Sequence, residues 1–206
     1  MANTRGLSTE TRILDTAIAS FVLHGFSGTR VQNIADEADV NIRMIYHYFG
    51  SKKGLFRAAL HEVSRRRAAL MTELMEDPPR TLPELALVLY DSYNTDSDWV
   101  RLLQWETLET ELIADEGQWV NADERRTAVA DRIQIIRAMQ TRGDLDPSID
   151  PAALYVILVG AALAPAAFPA TVDSTASAVG GGPDFAGRYR DTLAQVAALI
   201  TRPAQG

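Results

Sequence analysis

Apolar residues recur at helical spacing along nearly the whole chain. In STETRILDTAIASFVLHGF, Ile13, Ala17 and Phe21 lie four residues apart, with Leu14, Ile18 and Val22 beside them. A stripe of that period predicts an amphipathic helix. Ser8 stands where it caps the start and Gly25 where it ends the helix. In the next stretch, SGTRVQNIADEADV, Thr29 and Gln32 have capping-box spacing. This predicts that the Thr hydroxyl and the Gln side chain satisfy the first free N–H groups of a second helix. Val31, Ile34, Ala35 and Ala38 form its apolar face. Asp39, Val40 and Asn41 predict a tight turn, with Asn41 capping a third helix over Ile42–Phe49. Ile45 and Phe49 turn inward on it. Gly50 stops that helix, and Ser51 caps a long fourth one running from near Lys52 to about Met75.

The remainder continues in kind. Pro78 and Pro79 break the pattern, and Leu82, Leu85, Leu89 and Tyr93 resume it. WVRLLQWETLETELI and residues 119–140 predict two further amphipathic helices, with the turn-rich RGDLDPSIDP after them. Residues 151–172 carry no charge, and a helix apolar on all sides is expected to be buried between others. TVDSTASAVGGGPD, with three consecutive glycines, predicts a flexible loop, and FAGRYRDTLAQVAALI a last helix. No alternating strand pattern and no internal repeat occurs. The fold class expected is all-α.

The uncharged run is long enough to raise a membrane span. Alanine dominates it, Pro165 and Pro169 interrupt its second half, and the flanking charges, Asp150 and Asp173, are both acidic. With no positive anchor at either end, no membrane partner is expected. The N-terminus has no apolar run after its charge, so no signal peptide is visible and a cytoplasmic location is expected.

Composition narrows the chemistry. The chain has 206 residues, 47% of them apolar, and no cysteine. That excludes disulfides, thiol nucleophiles and cysteine-held metals. Charge is unevenly placed. Residues 1–67 hold ten Lys/Arg against six Asp/Glu, whereas residues 68–206 hold ten against twenty-one. Lys52 and Lys53 are the only lysines, and all three histidines (His24, His47, His61) fall in the basic part. A basic segment on an acidic body suits a protein whose small part meets a polyanion.

Two short helices joined by a three-residue turn and packed on an N-terminal helix make a helix-turn-helix pattern. Arg43, Met44, Tyr46 and His47 point away from the Ile45/Phe49 stripe. Tyr46, His47 and Tyr48 all carry hydrogen-bonding tips that a buried aromatic does not need. Lysines follow at the next helix N-terminus, where backbone N–H groups add to the attraction for phosphate.

At these residues the chain resembles a known family. T-R-I-L-x-x-A, then G-F-S-G-T-R-V-Q-N-I-A-D-E-A-D-V, then I-Y-H-Y-F-G-S-K-K-G-L-F are similar to the DNA-binding domain of the TetR-type transcriptional regulators over about residues 9–57. The resemblance implies a helix-turn-helix DNA-binding domain over residues 1–51 and a helical ligand-binding and dimerisation domain over 52–206. It implies a homodimer on double-stranded DNA and a small-molecule effector of unknown identity. Thr29 and Arg30 match phosphate-facing and sometimes base-facing positions. Asn41, Ile42, Arg43 and Met44 open the recognition helix. Tyr46, His47 and Tyr48 match the family's phosphate contacts, and Lys52 its phosphate-binding lysine. The chain departs from the pattern at Asp39, where the family has Gly, and at Arg43 and Met44, where it often has small residues. Arg43 either forks onto guanine or reaches a phosphate, and Met44 either touches a thymine methyl or fills space.

In the body, Tyr90, Tyr93, Trp99, Leu103, Trp105 and Trp119 are candidate lining for a ligand pocket, with core packing as the alternative. Glu106, Glu109, Glu111, Asp115 and Glu116 form an acidic run. No histidine follows His61, so a carboxylate–histidine metal site lacks its ligands and a solvated acidic face is expected. Residues 152–168 and 185–200 are the expected dimer surfaces, pairing as an intermolecular four-helix bundle. No catalytic residues, metal or cofactor are expected, since neither a Ser–His–acid set nor a phosphate loop is present. The resulting expectation is a ligand-responsive repressor of a pseudo-palindromic operator, or an activator of the same type. A helical-bundle enzyme and a protein-binding adaptor are the rival classes.

Overall fold

The computed structural model describes residues 8–95, 97–109, 111, 120–180 and 184–201. Among these, the order is α1 (Thr9–Gly28), α2 (Val31–Glu37), α3 (Ile42–Phe49), α4 (Lys52–Leu74), α5 (Leu82–Asn94), α6 (Ser97–Leu108), α7 (Ala122–Arg142), α8 (Pro151–Ala167), α9 (Pro169–Ala178) and α10 (Phe185–Ile200), with no strand. They gather into two units, one comprising the chain through Arg67 with Asp98–Ala122, the other Ala68–Ser97 with the chain from Asp123 onward. The stretch expected as one body, residues 52–206, is thus shared between both units.

The first unit is built on α1. Ser8 caps it by accepting the Thr11 N–H at 3.2 Å, and its apolar stripe buries Ile13, Ala17, Ile18, Phe21 and Val22. Opposite them lie Ile34 of α2, Ile45 of α3, and Leu55 and Phe56 of α4, all fully buried. Burial of that kind stabilises by about 2 kcal/mol per large side chain. The rings of Phe21 and Phe26 meet Phe56 edge-on, with centroids 4.8 and 5.6 Å away. On the outside, Arg66 of α4 bonds to Asp15 of α1 at 2.5 Å and to Glu62 at 2.8 Å.

In the second unit α5 packs against both α8 and α10. Thr81 and Glu84 form a capping box at its start, and Leu82, Leu85, Ala86 and Leu89 are fully buried. Polar ties hold the three helices. Arg190 grips Asp91 through two bonds of 2.8 and 2.7 Å. The Tyr189 hydroxyl donates to the Ala161 carbonyl at 2.7 Å, and Asn94 donates to the Ala162 carbonyl at 3.0 Å.

Two expectations fail here. The uncharged α8 is not buried on all sides within one chain. Leu154, Tyr155, Leu158 and Ala162 face inward, while Val156 and Ile157 are 68% and 64% exposed. And residues 171–178, the first part of the stretch expected as a loop, are helical, in a helix that begins at Pro169. Pro169 sits in the first turn, where its fixed φ favours a helix. The hydroxyls of Ser174 and Thr175 donate back to the Ala170 and Thr171 carbonyls, so both side chains find partners within the helix. α8 and α9 meet at a bend of 82°, and no single helix among the described residues is long and apolar enough to cross a membrane.

Candidate nucleic-acid interface

The turn before α3 closes through Val40 N–H to the Ala35 carbonyl at 3.0 Å. It places Asp39 at φ 51°, a left-handed conformation that Asp tolerates better than most residues. The Asn41 side chain accepts the Arg43 N–H at 2.9 Å and so fixes where α3 begins. Ile45 is fully buried and anchors the helix from beneath. Arg43, Tyr46, His47 and Tyr48 are exposed, and Ile42, Met44 and Phe49 are half-buried. Tyr46 and Tyr48 keep 46% and 41% of their surface in solvent, a large exposure for aromatic rings. His47 meets Tyr48 edge-on at 5.4 Å, so the cluster is held as a shelf of hydrogen-bonding tips.

α3 ends where the Gly50 N–H donates to the Tyr46 carbonyl at 2.9 Å, and α4 starts immediately. Ser51 caps α4 by accepting the Gly54 N–H at 3.0 Å. A Cβ at Gly54 would lie 2.0 Å from the Phe49 carbonyl oxygen, so only glycine permits so close a join. The join puts Lys52 and Lys53 directly after the aromatic shelf. Lys52 is not idle. Its ammonium donates to the Ser27 carbonyl at 3.4 Å and lies 4.7 Å over the Phe26 ring. Burial lowers its pKa, and the nearby Glu109 carboxylate opposes that shift.

The start of α2 differs from expectation. Thr29 and Gln32 form no capping box. The Thr29 hydroxyl donates to the Gly25 carbonyl at 2.7 Å and reaches the Ser20 carbonyl at 3.2 Å, and the residue is 2% exposed. Gln32 turns instead to Asp36, at 2.7 Å. Arg30 occupies the cap position with no side-chain cap bond, and is exposed. The Thr29 side chain therefore has no surface for a phosphate, whereas the guanidinium of Arg30 does.

A helix-turn-helix with this outward chemistry is matched by comparison with known proteins. The family profile for bacterial regulatory proteins of the tetR family matches residues 13–59, and that for the tetracyclin repressor-like C-terminal domain matches residues 81–198, more than half of the chain. The chain belongs to the TetR family of bacterial transcriptional regulators. It is 35% identical over 139 residues to the HTH-type transcriptional repressor NicS of Pseudomonas putida, a match spanning 66% of this chain and 65% of NicS. It is 30% identical over 155 residues to the repressor SCO4008 of Streptomyces coelicolor, spanning 75% and 77%. The crystal structure of SCO4942 from Streptomyces coelicolor superposes with a TM-score of 0.73 at 27% identity, covering 95% of this chain and all of that one.

In this TetR-family chain the aromatic candidates for a ligand pocket are dispersed. Tyr90 and Tyr93 belong to the second unit and are buried. The Tyr90 ring stacks on Tyr189 at 6.1 Å, and its hydroxyl donates to the Ala186 carbonyl at 3.2 Å. Trp99, Leu103 and Trp105 belong to the first unit. Trp99 is buried with the Arg67 guanidinium 5.7 Å from its ring centre, Leu103 is half-buried, and Trp105 packs on Gly25. Trp119 lies outside the described residues. An open cleft of about 720 Å³ is lined by none of them; Arg80, Leu82, Met139, Arg142 and Thr201 border it.

The acidic run also departs from expectation. Glu106 is 2% exposed and accepts the Val120 N–H at 2.9 Å. Glu109 accepts the N–H groups of Phe26 and Ser27. Glu111 is exposed, while Asp115 and Glu116 lie outside the described residues. Sequence reasoning missed Glu106 and Glu109 because their partners lie far off along the chain, 83 residues away for Glu109 and Phe26. The available signal was the glycine break at Gly25, which frees N–H groups that some acceptor must meet.

Proposed function

We propose that this TetR-family chain is a cytoplasmic, dimeric, ligand-responsive repressor, with no catalytic role, that binds a pseudo-palindromic duplex operator. The exposed shelf of Arg43, Tyr46, His47 and Tyr48, on a helix fixed by Asn41 and followed at once by two lysines, carries the reading. Tyr46, His47, Tyr48 and Lys52 hold phosphates, joined by Arg30 from the start of α2. Lys52 has three ammonium donors and uses one on Ser27, so donors remain for a phosphate. Arg43, with Asn41, Ile42 and Met44, faces the base edges, where a guanidinium forks onto guanine. Its relatives NicS and SCO4008 are transcriptional repressors, which favours repression over activation.

The exposed apolar face of α8 and the exposed Val196 and Leu199 of α10 support a dimer formed by these two helices from each copy. A small molecule that binds the body then favours a dimer form whose recognition helices no longer match successive grooves, which requires unequal affinity for the two forms. The test is selection from randomised duplex DNA. An enriched palindrome, bound more weakly by Tyr46→Phe and Lys52→Ala, supports the reading. No enrichment at any salt concentration sinks it.

A further inference from the structure

α1 is broken at Gly25, whose backbone (φ 68°, ψ −176°) swings the following N–H groups out of the helical ladder. In an unbroken helix the Phe26 N–H would donate to the Val22 carbonyl. Here it donates to Glu109 Oε2 at 2.7 Å, and the Ser27 N–H donates to both Glu109 oxygens at 3.1 and 3.2 Å. The Val22 carbonyl, the acceptor left behind, takes the Trp105 indole N–H at 3.3 Å. Trp105 and Glu109 stand four residues apart, joined by the Glu109 N–H to Trp105 carbonyl bond of 2.9 Å, so both side chains leave the same face of one helical turn. One short segment thus supplies the missing donor and the missing acceptor of a single broken helical bond. The indole also fills the room left by the missing side chain, since a Cβ at Gly25 would lie 2.7–2.9 Å from its ring atoms.

The segment so held touches the starts of α2 and α4, the helices on either side of α3 in the chain. The Gly25 carbonyl takes the Thr29 hydroxyl at the start of α2. The Ser27 carbonyl takes the Lys52 ammonium at the start of α4, and the Phe26 ring lies beneath that lysine. We propose that Trp105 and Glu109 splint the break in α1 and that Glu109 is a positioning residue for operator recognition. It sets where Arg30 and Lys52 stand without itself meeting DNA. The inference rests on the DNA-binding reading above.

The experiment uses the full chain and the operator selected by the wild-type protein. Affinity is measured for that operator and for a scrambled duplex of the same length, with circular dichroism confirming the fold. Glu109→Ala is expected to weaken operator binding about tenfold, the scale of losing charge-assisted hydrogen bonds. Binding to the scrambled duplex weakens with it, because the phosphate contacts that Glu109 positions carry no sequence information. Glu109→Gln keeps a hydrogen-bond acceptor of the same shape and recovers most of the affinity. Tightening on both duplexes would make Glu109 a mere counter-charge, and weakening matched by a loss of folded protein in circular dichroism a mere stability element; either result overturns the positioning role. A wild-type protein that selects no duplex removes the DNA-binding reading itself, and the positioning role falls with it.

Discussion

Gly25→Ala perturbs the break in α1 in two separable ways. Its backbone, with positive φ and ψ near 180°, lies in a region occupied essentially by glycine alone, and forcing another residue there costs about 1–3 kcal/mol. The new methyl also meets the Trp105 ring at 2.7–2.9 Å, inside any normal contact, which adds roughly 1–3 kcal/mol of overpacking. The sum, about 4 kcal/mol, is a large share of a total stability of about 5–15 kcal/mol. Gly143→Ala is the control. It shares a positive φ of 81°, but a Cβ there meets nothing within 4 Å, so only the backbone cost of about 1–2 kcal/mol applies. Urea denaturation at matched slopes gives both numbers. Adding Trp105→Ala completes a double-mutant cycle, in which relief of the clash should appear as a coupling of about 1–3 kcal/mol. If Gly25→Ala costs no more than Gly143→Ala, or if the cycle is additive, the ring is not a rigid neighbour of the break.

The Glu62 carboxyl is held at about 2, first by the hydrogen bond from Arg65 and then by Arg66. Because the folded value is depressed, its stabilisation is complete above the ordinary value of 4.5 and is lost as pH falls from there through about 2. Both arginines are well exposed, so solvent screening limits the effect to about 1 kcal/mol. Glu62→Gln should therefore be less stable than wild type near pH 7, with the gap closing toward pH 2 in thermal melts. Thr29→Val removes the hydroxyl that serves the Gly25 and Ser20 carbonyls and should cost about 1–2 kcal/mol in urea, with Thr29→Ser largely restoring it. Ile157→Glu places a charge on the exposed face of α8; sedimentation should show a monomer that no longer binds the operator, and an unchanged dimer would rule that face out.

Features set by neighbours in sequence were legible. Ser8, Asn41 and Ser51 cap their helices because a capping oxygen reaches N–H groups only two or three residues on. Leu82, Leu85 and Leu89 are buried because their period puts them on one face. What failed did so through partners distant in sequence or through competition. Thr29 had the spacing of a capping box, but the Gly25 carbonyl left bare by the broken helix took its hydroxyl first. Glu106 and Glu109 looked like solvated surface because nothing local reveals an acceptor's distant donor. On α3 the exposed Arg43, Tyr46 and His47 were legible, since Ile45 fixes the inward face and the 3.6-residue period then dictates the outward one; for Tyr48, three residues from Ile45, the signal was its polar tip. The tie that holds Lys52 was not, because it runs to Ser27, 25 residues earlier.

The placing of both lysines at the start of α4 has a practical consequence. No other side chain in the protein carries a primary amine. Burial lowers the pKa of Lys52, which raises the share of unprotonated, reactive amine. Side-chain amine chemistry, whether coupling to a sensor chip, fluorophore labelling or acetylation, therefore falls on the proposed DNA face, with the α-amino group as the competing amine. A preparation attached to a surface in this way would score as inactive toward an operator while fully folded. Capture through another handle would leave it competent.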